Sequence, residues 1–172
     1  MRKFFIFLLV LIISSTASAQ KKDQFVGVWQ KVSNLAQGSV TISYNGKVFM
    51  PDGRVFGYIL DPVDFENYEK FDFTPWMFAD YGFTSDSTYY EEVKLHNDTA
   101  WEGRINFKYR FLNSRTLLAY YDHTNPDGTV QTIIDLWIKA VYDAKEQKNI
   151  LKKVSDNWDA YVKRAKEMYG RE

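Results

Sequence analysis

Apolar and polar residues alternate cleanly between residues 101 and 111. Trp101, Gly103, Ile105, Phe107, Tyr109 and Phe111 share one parity; Glu102, Arg104, Asn106, Lys108 and Arg110 share the other. A period of two puts these sets on opposite faces of an extended chain, which predicts an antiparallel strand buried on one side and wet on the other. Residues 25–32 predict a different strand: Phe25, Gly27 and Trp29 lie on one face, and Val26, Val28 and Val32 on the other. Two apolar faces suit a strand that lines a core and is covered from behind by a later element. Further strands are predicted at residues 40–44, 47–50, 54–60, 87–95, 116–121 and 129–140. Turn residues separate them: Pro51-Asp-Gly53, Asn97-Asp98, Asn113-Ser114 and Asn125-Pro-Asp-Gly128. In such turns Pro presets φ and Gly accepts φ > 0. Asn45-Gly46, between two strand-like runs, predicts a tight hairpin; one long strand with a bulge at Gly46 is the alternative.

Two stretches break this pattern. Residues 61–82 carry Pro62, Pro75, several acids and seven scattered aromatics with no clean period. They predict a long, partly helical connection over one end of the fold, placed to gate it. From about residue 145 the spacing becomes helical: Leu151, Val154, Trp158, Tyr161, Ala165 and Met168 recur every three or four residues, with Gly170 as a stop. One amphipathic helix is expected there. Short strands joined by turns, without helices between them, predict an all-β antiparallel up-and-down barrel. It would occupy residues 20–142, with residues 143–172 as a C-terminal α-helix packed on it.

The N-terminus changes the setting. Arg2 and Lys3, the apolar run of residues 4–13 and Ala17-Ser-Ala19 predict a signal peptide of residues 1–19, cleaved near Ala19. The run is short for a membrane span, so the mature chain is expected to be secreted, periplasmic or extracellular. Lysine plus arginine equal aspartate plus glutamate at 22 each, and losing Arg2 and Lys3 leaves 20 against 22. That balance offers no footprint for nucleic acid. The chain has no cysteine, which excludes disulfides, thiolate metal sites and a cysteine nucleophile.

Catalytic chemistry is sparse. His96 and His123 sit beside turns and read as exposed turn residues, with haem ligation by His123 as a sharper alternative. No His pair has zinc spacing, and Asp61, Asp64, Glu66, Glu69 and Asp72 do not follow a calcium-loop pattern. Glu91 shares inward parity with Tyr89 and Val93. It reads as a structural carboxylate bonded to Tyr hydroxyls, or else as a buried general base.

Four segments together resemble the secreted bacterial lipocalin-like proteins of the calycin superfamily, a domain family of unknown function. They are Phe25-Val-Gly-Val-Trp29, Pro51-Asp-Gly53, Ser85-Asp-Ser-Thr-Tyr-Tyr-Glu91 and Asp135-Leu-Trp-Ile-Lys139. The resemblance spans residues 25–140 and implies a lipocalin-like barrel that binds a small, mostly apolar ligand. It also implies a basic side chain of the closing strand over the first-strand Trp, here Lys139 over Trp29, where Arg is more usual. The C-terminal helix departs from the lipocalin pattern, because nothing strand-like follows it.

The expectation is a non-enzymatic binder of a small hydrophobic or amphipathic molecule, with no cofactor, no metal and no membrane span. Tyr44, Phe56, Tyr58, Tyr89, Glu91, Phe107, Tyr109 and Tyr120 are the candidate ligand-binding residues, and Trp29 and Lys139 the structural pair. The alternatives are an interaction module with a filled barrel, meeting a protein partner through the aromatic connection of residues 61–82, or a partner or second copy through the C-terminal helix, and a barrel-type isomerase using Glu91.

Overall fold

The computed structural model describes residues 23–33, 41–59, 73–124 and 127–171. The predicted signal peptide and residues 61–72 of the predicted connection lie outside them. Eight strands form a closed antiparallel barrel in sequential order. They are β1 (Gly27–Ser33), β2 (Thr41–Phe49), β3 (Arg54–Ile59), β4 (Thr74–Ser85), β5 (Thr88–His96), β6 (Gly103–Asn113), β7 (Thr116–Thr124) and β8 (Val130–Lys139). Two helices follow, α1 (Ala144–Asp156) and α2 (Trp158–Met168). Strand β1 closes the barrel by pairing Trp29 with Lys139 and Val32 with Leu136 on β8. No helix among the described residues is long and apolar enough to cross a membrane.

The predicted hairpin at Asn45-Gly46 is absent, and β2 runs straight through it. The irregularity falls on the β1–β2 pairing, where Gln30 faces Gly46 but Val32 faces Ile42. Gly46 is needed for space. A Cβ there would lie 2.1 Å from Cζ of Tyr58, whose ring crosses the neighbouring strand. A glycine in a strand interior marks such an approach as readily as a turn.

Residues 74–82 are strand, although they were expected to belong to the connection. Strand β4 hides its period at a bulge: Gly57 pairs with Met77 and Tyr58 with Pro75, so Trp76 is the extra residue. Pro75 sits at this irregularity, where a missing N–H costs little.

The helices cover the outer face of the early strands. Val28, Val48, Phe56, Tyr58 and Phe78 pack there with Ile150, Val154, Tyr161 and Ala165. This is why both faces of β1 are apolar. Asp143 caps α1, its carboxylate accepting from the Glu146 N–H at 2.8 Å, and Glu146 adds an acid to the positive first turn. The expected single helix is two, because Asn157 leaves helical geometry at ψ 13. Its side-chain amide donates to the Lys153 carbonyl at 2.8 Å. The three- and four-residue spacing continues across this one-residue break, so periodicity does not register it. Met168, expected on the buried face, is exposed. The tail ends against the barrel rim: Tyr169 Oη donates to the Pro75 carbonyl at 2.6 Å. Arg171 donates to the His96 carbonyl at 2.8 Å and pairs with Glu102.

Candidate functional site

One end of the barrel is plugged. A short helical turn at residues 23–25 places Phe25, fully buried, among Phe49, Tyr81, Phe83, Tyr89, Tyr109 and Phe111. Trp29 Nε1 donates to the Phe25 carbonyl at 2.7 Å. Lys139 Nζ lies 5.3 Å from the centre of the Trp29 ring, within the range of a cation–π contact. Half-burial holds the Lys139 amine below its ordinary value.

Above the plug an ion pair bridges the lumen. Lys47 of β2 reaches across to Glu91 of β5, with Nζ 2.8 and 2.7 Å from the two carboxylate oxygens. Both residues are buried. The ammonium also lies 5.3 Å from the Trp137 ring, 5.5 Å from Phe107 and 5.9 Å from Trp76. Tyr89 Oη donates to Glu91 at a longer 3.4 Å, and its ring stacks on Phe107 at 4.6 Å. Burial, then the Glu91 charge, pushes the Tyr89 phenol well up, so it stays protonated.

Lys47 and Glu91 form the floor of a cavity of about 250 Å³ open at the other end. Trp76, Met77, Val93, Ile105, Phe107, Tyr121 and Trp137 make its wall, and Lys31 and Asp135 add a second ion pair, 2.6 Å apart. His96, Asn97 and Trp101 line the mouth. Trp101 lies in a 3-10 turn, Thr99–Trp101, rather than on β6 as expected, and stacks on His123 at 4.1 Å. His96 is half-buried at this rim rather than exposed. Its Nδ1 accepts from the Asp98 N–H at 2.9 Å, and burial holds its imidazole low, so it is neutral at pH 7. Among the described residues no group of three or more His, Asp or Glu side chains could hold a metal ion.

The structure brings only part of the candidate set to this cavity. Glu91 and Phe107 line it, and Tyr89 packs behind Phe107 in the interior cluster. Tyr109 is interior but belongs to the plug. Phe56 and Tyr58 lie on the outer wall under the helices, because a strand apolar on both faces gives no parity signal. Tyr120 points outward, and the inward residue is its neighbour Tyr121. Tyr44 is exposed. Sequence reasoning missed Lys47, Lys31, Trp76, Tyr121, Asp135 and Trp137. A signal existed for Lys47: once β2 is continuous, it shares inward parity with Phe49.

Trp76 depends on Gly57. A Cβ at Gly57 would fall 2.7 Å from Trp76 Cε2 and 2.9 Å from Met77 Cβ. The indole is held there by Nε1 donation to the Tyr58 carbonyl at 2.9 Å. Gly57→Ala is therefore expected to displace Trp76 from the wall at a cost of about 1–3 kcal/mol. A lower melting temperature with an altered near-ultraviolet circular dichroism spectrum would show it; an unchanged spectrum would contradict it.

No protein-family model and no curated protein sequence matches this chain. Among solved structures it is similar to bovine odorant-binding protein complexed with its natural ligand, at 17% identity, TM-score 0.37, and coverage of 78% of this chain and 83% of the other. The same bovine protein complexed with a selenium-containing odorant gives 15% identity, TM-score 0.39, and coverage of 79% and 83%. Likeness at this level carries no argument about what this chain binds. The barrel stands on its own strand pairing.

Proposed function

We propose that this chain is an exported, non-enzymatic binder of a small apolar or amphipathic molecule. One observation carries the reading: a barrel plugged at one end keeps an open, largely aromatic cavity at the other. Concave apolar sites with a few placed polar groups are how small-molecule sites are lined. Its volume of about 250 Å³ falls just under the roughly 300 Å³ where such sites begin, which favours compact ligands over sterols. The isomerase alternative is weakened because Lys47 already holds both Glu91 oxygens.

The test is a dye-displacement screen of fatty acids, sterols and aromatic metabolites against the wild type and Ile105→Trp. Ile105 lines the cavity and is only partly buried, so an indole there fills the void without opening the core. Micromolar binding lost in Ile105→Trp, with the melting temperature kept, supports the reading. No hit from any class would move it to the interaction module, for which Val130 and Ile134, about two-thirds exposed on the barrel wall, are the most exposed large apolar side chains among the described residues.

A further inference from the structure

Two polar groups face the cavity with bonding capacity to spare. Asp135 is only 6% exposed. Lys31 Nζ lies 2.6 Å from its Oδ1, and a carboxylate with about four acceptor sites keeps capacity beyond one ammonium. Tyr121 also lines the cavity, and its hydroxyl can both donate and accept. The two are diagonal neighbours on adjacent strands, since Ala119 faces Asp135 and Tyr121 faces Ile133. Diagonal neighbours on one face are within reach of a common partner when one of them is aromatic. Burial, with Asp135 and Glu91 adding to it, keeps the Tyr121 phenol protonated and so a donor.

The charges around the cavity cancel. Lys47 pairs with Glu91 and Lys31 with Asp135, and His96 is neutral. A charged ligand therefore gains no unpaired countercharge and must still lose its water. An alkyl chain fits the wall but leaves that remaining capacity of Asp135 desolvated, which costs more than a missing bond in water. The walls are rings: Trp76, Phe107 and Trp137 surround the floor. A dry cavity of about 150 Å³ takes one benzene, so about 250 Å³ suits one ring or two fused ones.

Resting on the binding reading above, the geometry points to a neutral planar aromatic molecule of one or two fused rings, carrying an N–H or O–H on its edge. The ring lies among Trp76, Phe107 and Trp137. The edge donor goes to the Asp135 carboxylate, and the Tyr121 hydroxyl serves an acceptor beside it.

The experiment is isothermal titration of the purified protein with three probes: indole, benzothiophene and 1-nonanol. Indole and benzothiophene share a fused-ring shape, and only indole has the N–H. A hydrogen bond to a charged acceptor predicts indole tighter by about tenfold or more. In Asp135→Leu that ratio should fall to about one, with benzothiophene binding no more weakly than to the wild type, because no carboxylate oxygen is then left desolvated beside it. Equal affinities in the wild type, or 1-nonanol as the tightest probe, would overturn the aromatic-donor assignment and leave the binding reading standing. No heat from any probe, together with an empty displacement screen, would remove both. The wild-type ratio decides the matter even if Asp135→Leu does not fold.

Discussion

Lys47→Met is expected to lower the free energy of unfolding by about 3–5 kcal/mol. The side chain it replaces bridges the lumen, and its loss leaves the Glu91 carboxylate, fully buried, with only the long Tyr89 contact. Methionine nearly matches the lysine stem, so packing is kept and the unpaired charge dominates the loss. Lys47→Met combined with Glu91→Leu should recover most of the stability, since replacing a buried pair by apolar residues is often neutral or favourable. Urea unfolding of the two single variants and the double variant measures this. A single-variant loss under about 1 kcal/mol, the size of a solvated surface pair, would mean that water reaches the cavity floor.

Phe25→Ala should cost about 3–5 kcal/mol, the range for a large aromatic removed from a core. Phe25 touches six other rings and is the piece that seals the barrel. The surrounding rings are carried on four different strands and cannot all collapse inward, so the void persists and its cost adds to the transfer term. Phe25→Leu, nearer in volume, should lose under about 1.5 kcal/mol. Thermal and denaturant unfolding check both. Equal, small losses would show that the plug repacks, and that Phe25 is an appendage rather than part of the core.

How much of this was legible depended on what lay behind each strand. β6 could be read residue by residue because its outer face meets water and Arg104, Asn106, Lys108 and Arg110 say so. β3 could not, because Tyr161 and Trp158 pack on Phe56 from outside, and a face covered by helices looks like a face turned inward. Tyr120 and Tyr121 are adjacent and alike, and no local rule chooses between them. The bulge at Trp76 erased the period of β4 altogether. Lys47 and Glu91 meet from 44 residues apart, and no spacing rule reaches that far. The helical tail was visible from its periodicity, but the break at Asn157 turns on one backbone angle.

The closure of β1 on β8 also has a temporal meaning. Every other strand pair joins neighbours in the chain, but Trp29 must wait for Lys139. Contacts between distant segments form against the greatest loop entropy, and chains that depend on them fold slowly. The meander from β2 to β8 can assemble hairpin by hairpin; the first strand cannot take its second partner until the last is made. Only then does Val28 gain the backing of Ile150 and Val154. Until that moment the nascent chain carries two open sheet edges rich in valine and isoleucine, and such edges are where chains pair with one another. A slow final step of this kind is the interval in which a chaperone, or its absence, decides between a barrel and an aggregate.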